Sequence, residues 1–175
     1  MAEERSFSFP PLARADARLL ILGSLPGQAS LAAGQYYAQP QNSFWPVMGA
    51  LFGAGRELPY PERLRILQER RVALWDVCES ACRPGSLDSR IALESVVAND
   101  FVSLFARCPD IERVCFNGAT AERLFNRLVA PGLARRMSSV RLPSTSPAHA
   151  GRSFPQKRDA WAAALAGLFP DVHIL

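Results

Sequence analysis

The chain has one lysine, Lys157; the other 19 of its 20 basic residues are arginine. Schiff-base chemistry needs an unprotonated amine, so this scarcity leaves one side chain for it. Lys157 stands beside Arg158 and Asp159, which reads as a solvated helix face or a phosphate contact, protonated and non-nucleophilic. Histidine is nearly absent as well, with only His149 and His173. The four cysteines (Cys78, Cys82, Cys108, Cys115) form no C-x2-C pair and lie far from either histidine. That favours buried free thiols over a metal site. No G-K-[ST] closes a glycine-rich loop and no G-x-S-x-G occurs, so neither a P-loop nor a nucleophile elbow is present. No apolar run reaches the roughly 20 residues of a membrane-spanning helix, and Met1 to Arg5 leads into no signal-peptide core. The expectation is a cytoplasmic protein without a membrane partner.

What is present suits one domain over residues 1–175. The chain is 49% hydrophobic and 21% charged, and this length can bury a core without disulfides or metal. A net charge of +4 and a pI of about 9.2 mildly favour a polyanionic partner. Arginine-rich, alanine-rich, lysine-poor usage is also a mark of a GC-rich genome, although the guanidinium fork suits bidentate phosphate contacts.

The chain alternates short apolar runs with helical patterns. Strands are expected at 18–23, 71–77, 113–116 and 139–142, with residues 1–17 as an arm leading in. Helices are expected at 42–52 (Phe44, Val47, Met48 and Leu51 inward) and 61–70 (Leu64 and Leu67 inward). A third, capped by Asn99 or Asp100, carries Phe101, Leu104 and Phe105. A fourth, capped by Thr120, carries Leu124, Phe125 and Leu128. The last, at 153–169, carries Phe154, Trp161, Leu165 and Leu168. A short extended tail, 172–175, closes the chain. This pattern predicts an α/β three-layer sandwich: a four-stranded, mainly parallel sheet with helices on both faces. Ligands of such sheets bind beyond the carboxyl ends of the strands.

Four loops fall at those ends. The first runs Gly23-Ser24-Leu25-Pro26-Gly27 and continues to Tyr36-Tyr37-Ala38-Gln39-Pro40-Gln41-Asn42-Ser43-Phe44-Trp45. Small residues there let backbone N–H groups approach an anion or a carbonyl oxygen. Aromatic rings can stack on a base, or simply pack, and Asn42 can bond a base edge or orient a water. The second runs Leu142-Pro143-Ser144-Thr145-Ser146-Pro147-Ala148-His149-Ala150-Gly151-Arg152 and offers hydroxyls, an imidazole and a guanidinium. The third starts at Leu74-Trp75-Asp76, where Asp76 is a site carboxylate or a turn cap, and runs on to Ile91. The fourth is Phe116-Asn117-Gly118, whose Asn117 reads a base or forms the turn.

These motifs, in this order over roughly residues 7–165, resemble the uracil-DNA glycosylase superfamily and most closely its hypoxanthine-DNA glycosylase branch. The resemblance implies a flipped base at the strand ends and neither a metal nor a redox cofactor. Other branches carry a catalytic Asn or Asp directly after the leading glycine. Here that position is Ser24, as in the hypoxanthine branch, whose catalytic Asn maps to Asn42. By the same resemblance Phe44 stacks on the base. The expected base-binding set is Gly23, Ser24, Leu25, Pro26, Tyr37, Phe44, Asp76 and Asn117. One position departs: His149 stands where the branch usually has Asn. It is expected to join Asn42 in catalysis, stabilising the departing base together with backbone donors of the first loop. Ser144, Thr145, Ser146 and Arg152 are expected to hold DNA phosphates.

The function so implied is a monofunctional DNA glycosylase, acting as a monomer on DNA that contains hypoxanthine, uracil or xanthine. Two alternatives stand beside it: a nucleic-acid-binding module of the same fold without catalysis, and a serine hydrolase using Ser146 or Ser24 with His149 and Asp76.

Overall fold

The computed structural model describes residues 4–172. Four parallel strands form the central sheet: β2 (Leu19–Gly23), β3 (Val72–Asp76), β6 (Arg113–Asn117) and β7 (Ser138–Leu142), in the order β3-β2-β6-β7. The helices between them are α1 (Gln28–Ala33), α2 (Phe44–Phe52), α3 (Tyr60–Glu69), α4 (Phe101–Arg107), α5 (Ala119–Leu128) and α6 (Phe154–Leu165). Strand side chains alternate between the two faces. Leu19, Ile21, Leu74 and Cys115 pack with Trp45 and Met48 of α2, Leu67 of α3, and Trp161 and Leu165 of α6. Leu20, Leu22, Trp75, Val114 and Phe116 pack with Phe101 and Leu104 of α4 and Leu124 and Phe125 of α5. Both faces of the sheet are therefore covered, and the three-layer expectation holds.

A second, small antiparallel sheet was not legible in the sequence. β1 (Arg5–Phe7) pairs with β4 (Cys78–Cys82), which pairs with β5 (Val97–Ala98). Part of the expected arm is thus a strand, too short to show a period. Helix α1 was also unpredicted. It runs six residues between Gly27 and Gly34, inside a loop already read as glycine-rich.

Element ends differ where local chemistry decides. Asp100 caps α4, its carboxylate accepting from the Ser103 N–H, as expected. Gly118, at φ 97°, starts α5, so Thr120 lies inside that helix. Leu128, at the end of α5, and Phe154, at the start of α6, are exposed rather than inward. Helix α6 starts at a capping box between Ser153 and Gln156 and stops at Leu165. Most of the expected tail, residues 173–175, lies outside the described residues.

Lys157 reverses its expectation. It is 5% exposed and takes the inward position one turn before Trp161. Its ammonium donates to the Ser146 carbonyl at 3.3 Å, and burial lowers its pKa. The helix stripe is set by Lys157, Trp161 and Leu165, with the lysine stem as apolar filler. None of the four cysteines is in a disulfide, and no cluster of three or more metal-ligating side chains occurs among the described residues.

Candidate active site

A cavity of about 680 Å³ opens at the carboxyl edge of the parallel sheet. Its lining comes from every loop singled out in the sequence: Gly23 to Ser30, Tyr36, Tyr37 and Asn42, then Asp76, Ser86 to Ser89, Asn117 to Thr120, and Ser144 to His149. A more open depression of about 510 Å³ lies at the opposite, amino edge, among Arg18, Arg71, Arg135 and Arg136. Arg18 pairs there with Glu112, Arg71 with Asp16, and Arg135 donates to the Ile111 carbonyl: two surface ion pairs and a guanidinium–carbonyl hydrogen bond, with no reactive group among them.

The first loop leaves β2 at Gly23. A Cβ on Gly23 would lie 2.5 Å from Asp76 Oδ1 and 2.9 Å from the Tyr37 hydroxyl oxygen. Only glycine lets the carboxyl and the phenol close in on the strand end together. The Ser24 hydroxyl donates to Asp88 Oδ1 at 2.6 Å. Arg83, with its side chain almost wholly buried, donates to the Leu25 and Pro26 carbonyls and to Asp88. The Gln28 N–H donates to the Ser86 hydroxyl at 2.9 Å. Loop 84–89 is thereby bolted to the first loop. Leu25 packs its side chain into the core, so what Leu25 and Pro26 give the cavity is mainly backbone.

The aromatic wall corrects one expectation. Phe44 is fully buried at 0% exposure and is absent from the cavity lining. Tyr37 lies over it, the ring centroids 4.0 Å apart and stacked. The ring open to the cavity is Tyr37, with Phe44 as its backing. The reason is the start of α2: from Phe44 the helix turns its first residues toward Trp45 and Trp161, edge-on at 4.9 Å and 6.3 Å. Tyr37 has φ 53°, a left-handed conformation that costs a non-glycine residue about 1–2 kcal/mol. Such strain at a cavity wall persists only where packing fixes it. Here the Phe44 stack and the Ala38 N–H, which donates to the Ser30 hydroxyl, do so.

Asn42 lines the cavity just before α2. Its Oδ1 accepts from the Phe44 N–H at 2.9 Å, and its carbonyl accepts from Arg56, which also donates to the Gln39 carbonyl. Among the described residues its Nδ2 makes no hydrogen bond. Asn117 is differently engaged. Its Oδ1 accepts from the Thr145 N–H and its Nδ2 donates to Thr145 Oγ1, both at 2.9 Å.

That pairing also corrects the phosphate set. Thr145 is 1% exposed, with hydroxyl and N–H on Asn117 and carbonyl accepting from Ser43. It is a strut between β6, β7 and the start of α2. Ser144 and Ser146 are partly open and accept from backbone N–H groups within their own turn. His149 is exposed at the rim, and its ring makes no hydrogen bond among the described residues. Arg152 is exposed and lies outside the cavity lining. No serine–histidine hydrogen bond exists among the described residues: Ser24 is held by Asp88, and Ser146 faces its own turn.

Asp76 is no turn cap. It ends β3 at 4% exposure, and its Oδ2 is buried without a partner among the described residues. Burial, reinforced by Asp88 and opposed by Arg83, pushes its pKa up to about 7. The Tyr37 hydroxyl beside it is likewise buried and completes no hydrogen bond among the described residues, although the Asn117 amide is near enough to favour its ionised form slightly. Burial and Asp76 together keep that phenol un-ionised.

A profile of the Uracil DNA glycosylase superfamily matches residues 10–166. The chain belongs to that superfamily. It is accordingly a DNA glycosylase, a hydrolase of N-glycosyl bonds. A Hypoxanthine DNA glycosylase of Methanosarcina acetivorans is 36% identical over 157 residues, 89% of this chain and 94% of that protein. One of Methanosarcina barkeri is 34% identical over the same length, 89% of this chain and 95% of that protein. The solution NMR structure of a Methanosarcina acetivorans protein, described as a candidate uracil DNA glycosylase, superposes with a TM-score of 0.77 at 32% identity. It covers 94% of this chain and 99% of its own.

Sequence reasoning gave no role to Arg83, Asp88, Arg56 or Ser43, the residues that hold the glycosylase loops in place. The Arg83 and Asp88 pair carried a faint signal: opposite charges five apart inside a Pro/Gly/Ser loop.

Proposed function

We propose that the enzyme excises deaminated bases from DNA, hypoxanthine foremost with uracil and xanthine, as a monofunctional, monomeric glycosylase of base excision repair. The observation that carries this reading is the cavity itself: one aromatic wall, Tyr37 on Phe44, with Asn42, Asp76 and Asn117 around it. That is a slot for a single base rather than a groove for a strand. A base inside a duplex must be extruded to reach it, at a cost of a few kcal/mol that is least for a mispaired base. Deaminated bases are mispaired or weakly paired, which favours them before any contact is made. The names of the two Methanosarcina relatives support hypoxanthine.

In this reading Tyr37 stacks on the extruded base. Asn42, fixed through Oδ1, uses its amide group to position the base or the attacking water. The C1′–N bond breaks with its electron pair going to the base, water adds to the oxocarbenium-like C1′, and the proton that the water loses ends on the released base. Backbone donors of the first loop and His149 stabilise the departing base, while Ser144, Ser146 and Arg152 hold flanking phosphates.

The test is a single-turnover cleavage panel of hypoxanthine, uracil and xanthine in single strands and duplexes. Hypoxanthine is expected to be released with the strand left intact, and Asn42→Ala to lose about 100-fold or more while folded, the range for losing one transition-state contact. Near-wild-type excision by Asn42→Ala would remove Asn42 from catalysis. Tight DNA binding with no excision of any base would favour the binding module.

A further inference from the structure

Most polar side chains around the cavity are committed to one another. Ser24 is on Asp88, Asn117 on Thr145, and Ser86 on the Gln28 N–H. Among the described residues, two buried polar atoms of the floor are left without partners, Asp76 Oδ2 and the Tyr37 hydroxyl. They belong to the two side chains that crowd the same point above Gly23. A buried polar atom without a partner costs about 1–3 kcal/mol, and an isolated buried carboxylate costs far more. An Oδ2 buried in this way favours the protonated carboxyl, and the Asp76 side chain lines the cavity that a ligand enters.

We propose, on the glycosylase reading above, that Asp76 acts as a neutral carboxylic acid, donating a hydrogen bond from its carboxyl group to a carbonyl oxygen of the extruded base. Hypoxanthine, uracil and xanthine share such a carbonyl, the group that deamination creates. As the C1′–N bond breaks, its electron pair delocalises over the base and onto that oxygen. The hydrogen bond therefore strengthens toward the transition state, which is what accelerates a reaction. The proton stays on Asp76 throughout. A carboxylate in the same place has no donor and would repel the growing charge.

The charged and titratable groups around Asp76 agree with this state. Asp88, from loop 84–89, disfavours the carboxylate, and Arg83, from the end of β4, favours it. The Tyr36 and Tyr37 phenols and the Cys78 thiol, which also feel Asp76, all have pKa values raised by burial and stay neutral. His149 is at the rim of the same cavity. With the Asp76 pKa near 7, the donor is present below neutrality and is lost as pH rises.

The test uses single-turnover excision of hypoxanthine from a duplex oligonucleotide between pH 5.5 and 9. Wild-type rates should fall above neutrality, approaching tenfold per pH unit. Asp76→Asn keeps an N–H donor that does not titrate. It should hold its rate within about fivefold of wild type at pH 6 and abolish the alkaline fall. Asp76→Ala should lose about 100-fold, the range for one such donor. A rate that rises with pH through neutrality in the wild type, which needs no variant, overturns the proposal. So does a folded Asp76→Asn as impaired as Asp76→Ala, because that is the behaviour of a general base. If the wild type excises hypoxanthine under these conditions, either result sinks this assignment alone. If it excises no base at any pH, the functional reading falls with it.

Discussion

Replacing Asp76 by Asn should change the pH dependence of folding stability by an amount the structure sets. The folded-state pKa is near 7 against an ordinary value of 3.8, with burial as the first cause. Every tenfold change in proton affinity is worth about 1.4 kcal/mol. The gap between those two values gives about 4 kcal/mol, an upper limit because the site opens onto a cavity that water can enter. The sign follows from where the proton sits. Between pH 3.8 and 7 the unfolded chain has lost the Asp76 proton and the folded chain keeps it. Acidification therefore favours the fold, and this group's contribution to stability falls as pH rises through that window. Above pH 7 the penalty is complete and constant; below 3.8 it is absent.

Acid also weakens the pairs that hold Asp16 and Glu112 ionised, whose carboxyls sit below their usual range beside Arg14 and Arg18. Absolute stabilities would mix the two effects. Subtracting wild type from Asp76→Asn removes that background and any pH-independent cost of the amide. Urea unfolding of both proteins at pH 4, 5, 6, 7 and 8 reads the difference. The variant should gain on the wild type by up to about 4 kcal/mol between pH 4 and 7 and then hold level. A difference independent of pH would show that Asp76 is ionised in the fold as freely as in the unfolded chain. That would refute the reasoning from burial.

His149→Asn, which installs the residue usual in the hypoxanthine branch, should leave stability within about 0.5 kcal/mol, as expected at an exposed position. It should retain excision while shifting the ratio of hypoxanthine to uracil rates; a folded but inert variant would make the imidazole indispensable. Lys157 donates to the Ser146 carbonyl and is absent from the cavity lining. Borohydride trapping on a hypoxanthine duplex should accordingly give no adduct, despite the lowered pKa of the amine, and an adduct lost in Lys157→Ala would refute this.

The four central strands were legible because each is a short apolar run with both faces buried, and their ends were right to within about one residue. The site loops were legible because they follow those strands. The failures have physical causes of their own. β1, β4 and β5 span two to five residues and pair across long sequence separations, so no local period announces them. Phe44 and Tyr37 are both aromatics near one loop, and only the direction in which α2 departs decides which ring faces the cavity. Lys157 looked solvated because its neighbours are charged. Its position one turn before Trp161 put it on the buried stripe, and the Ser146 carbonyl supplied the partner that makes a buried lysine tolerable. Thr145 looked like a phosphate ligand by type, yet its partner lies 28 residues away in Asn117, a distance that sequence spacing does not measure.

The division of labour among polar groups gives the cavity its selectivity in principle. A site reads a base only with groups that have no better offer from the protein. Arg83, Asp88, Ser24, Asn117 and Thr145 have such offers and form the frame. Among the described residues Asn42 Nδ2, the Asp76 carboxyl and the Tyr37 hydroxyl do not, and the carboxyl and the phenol are held near Gly23 by packing rather than by hydrogen bonds. A frame that is already satisfied need not rearrange when a base enters, so binding energy can go to the contacts that strengthen as the glycosidic bond breaks. Breaking the frame and removing a reader should therefore look different. Loss of the Arg83 and Asp88 link would disturb the first loop, the cavity and stability together. Loss of Asp76 or Asn42 would spare the fold and change the reaction.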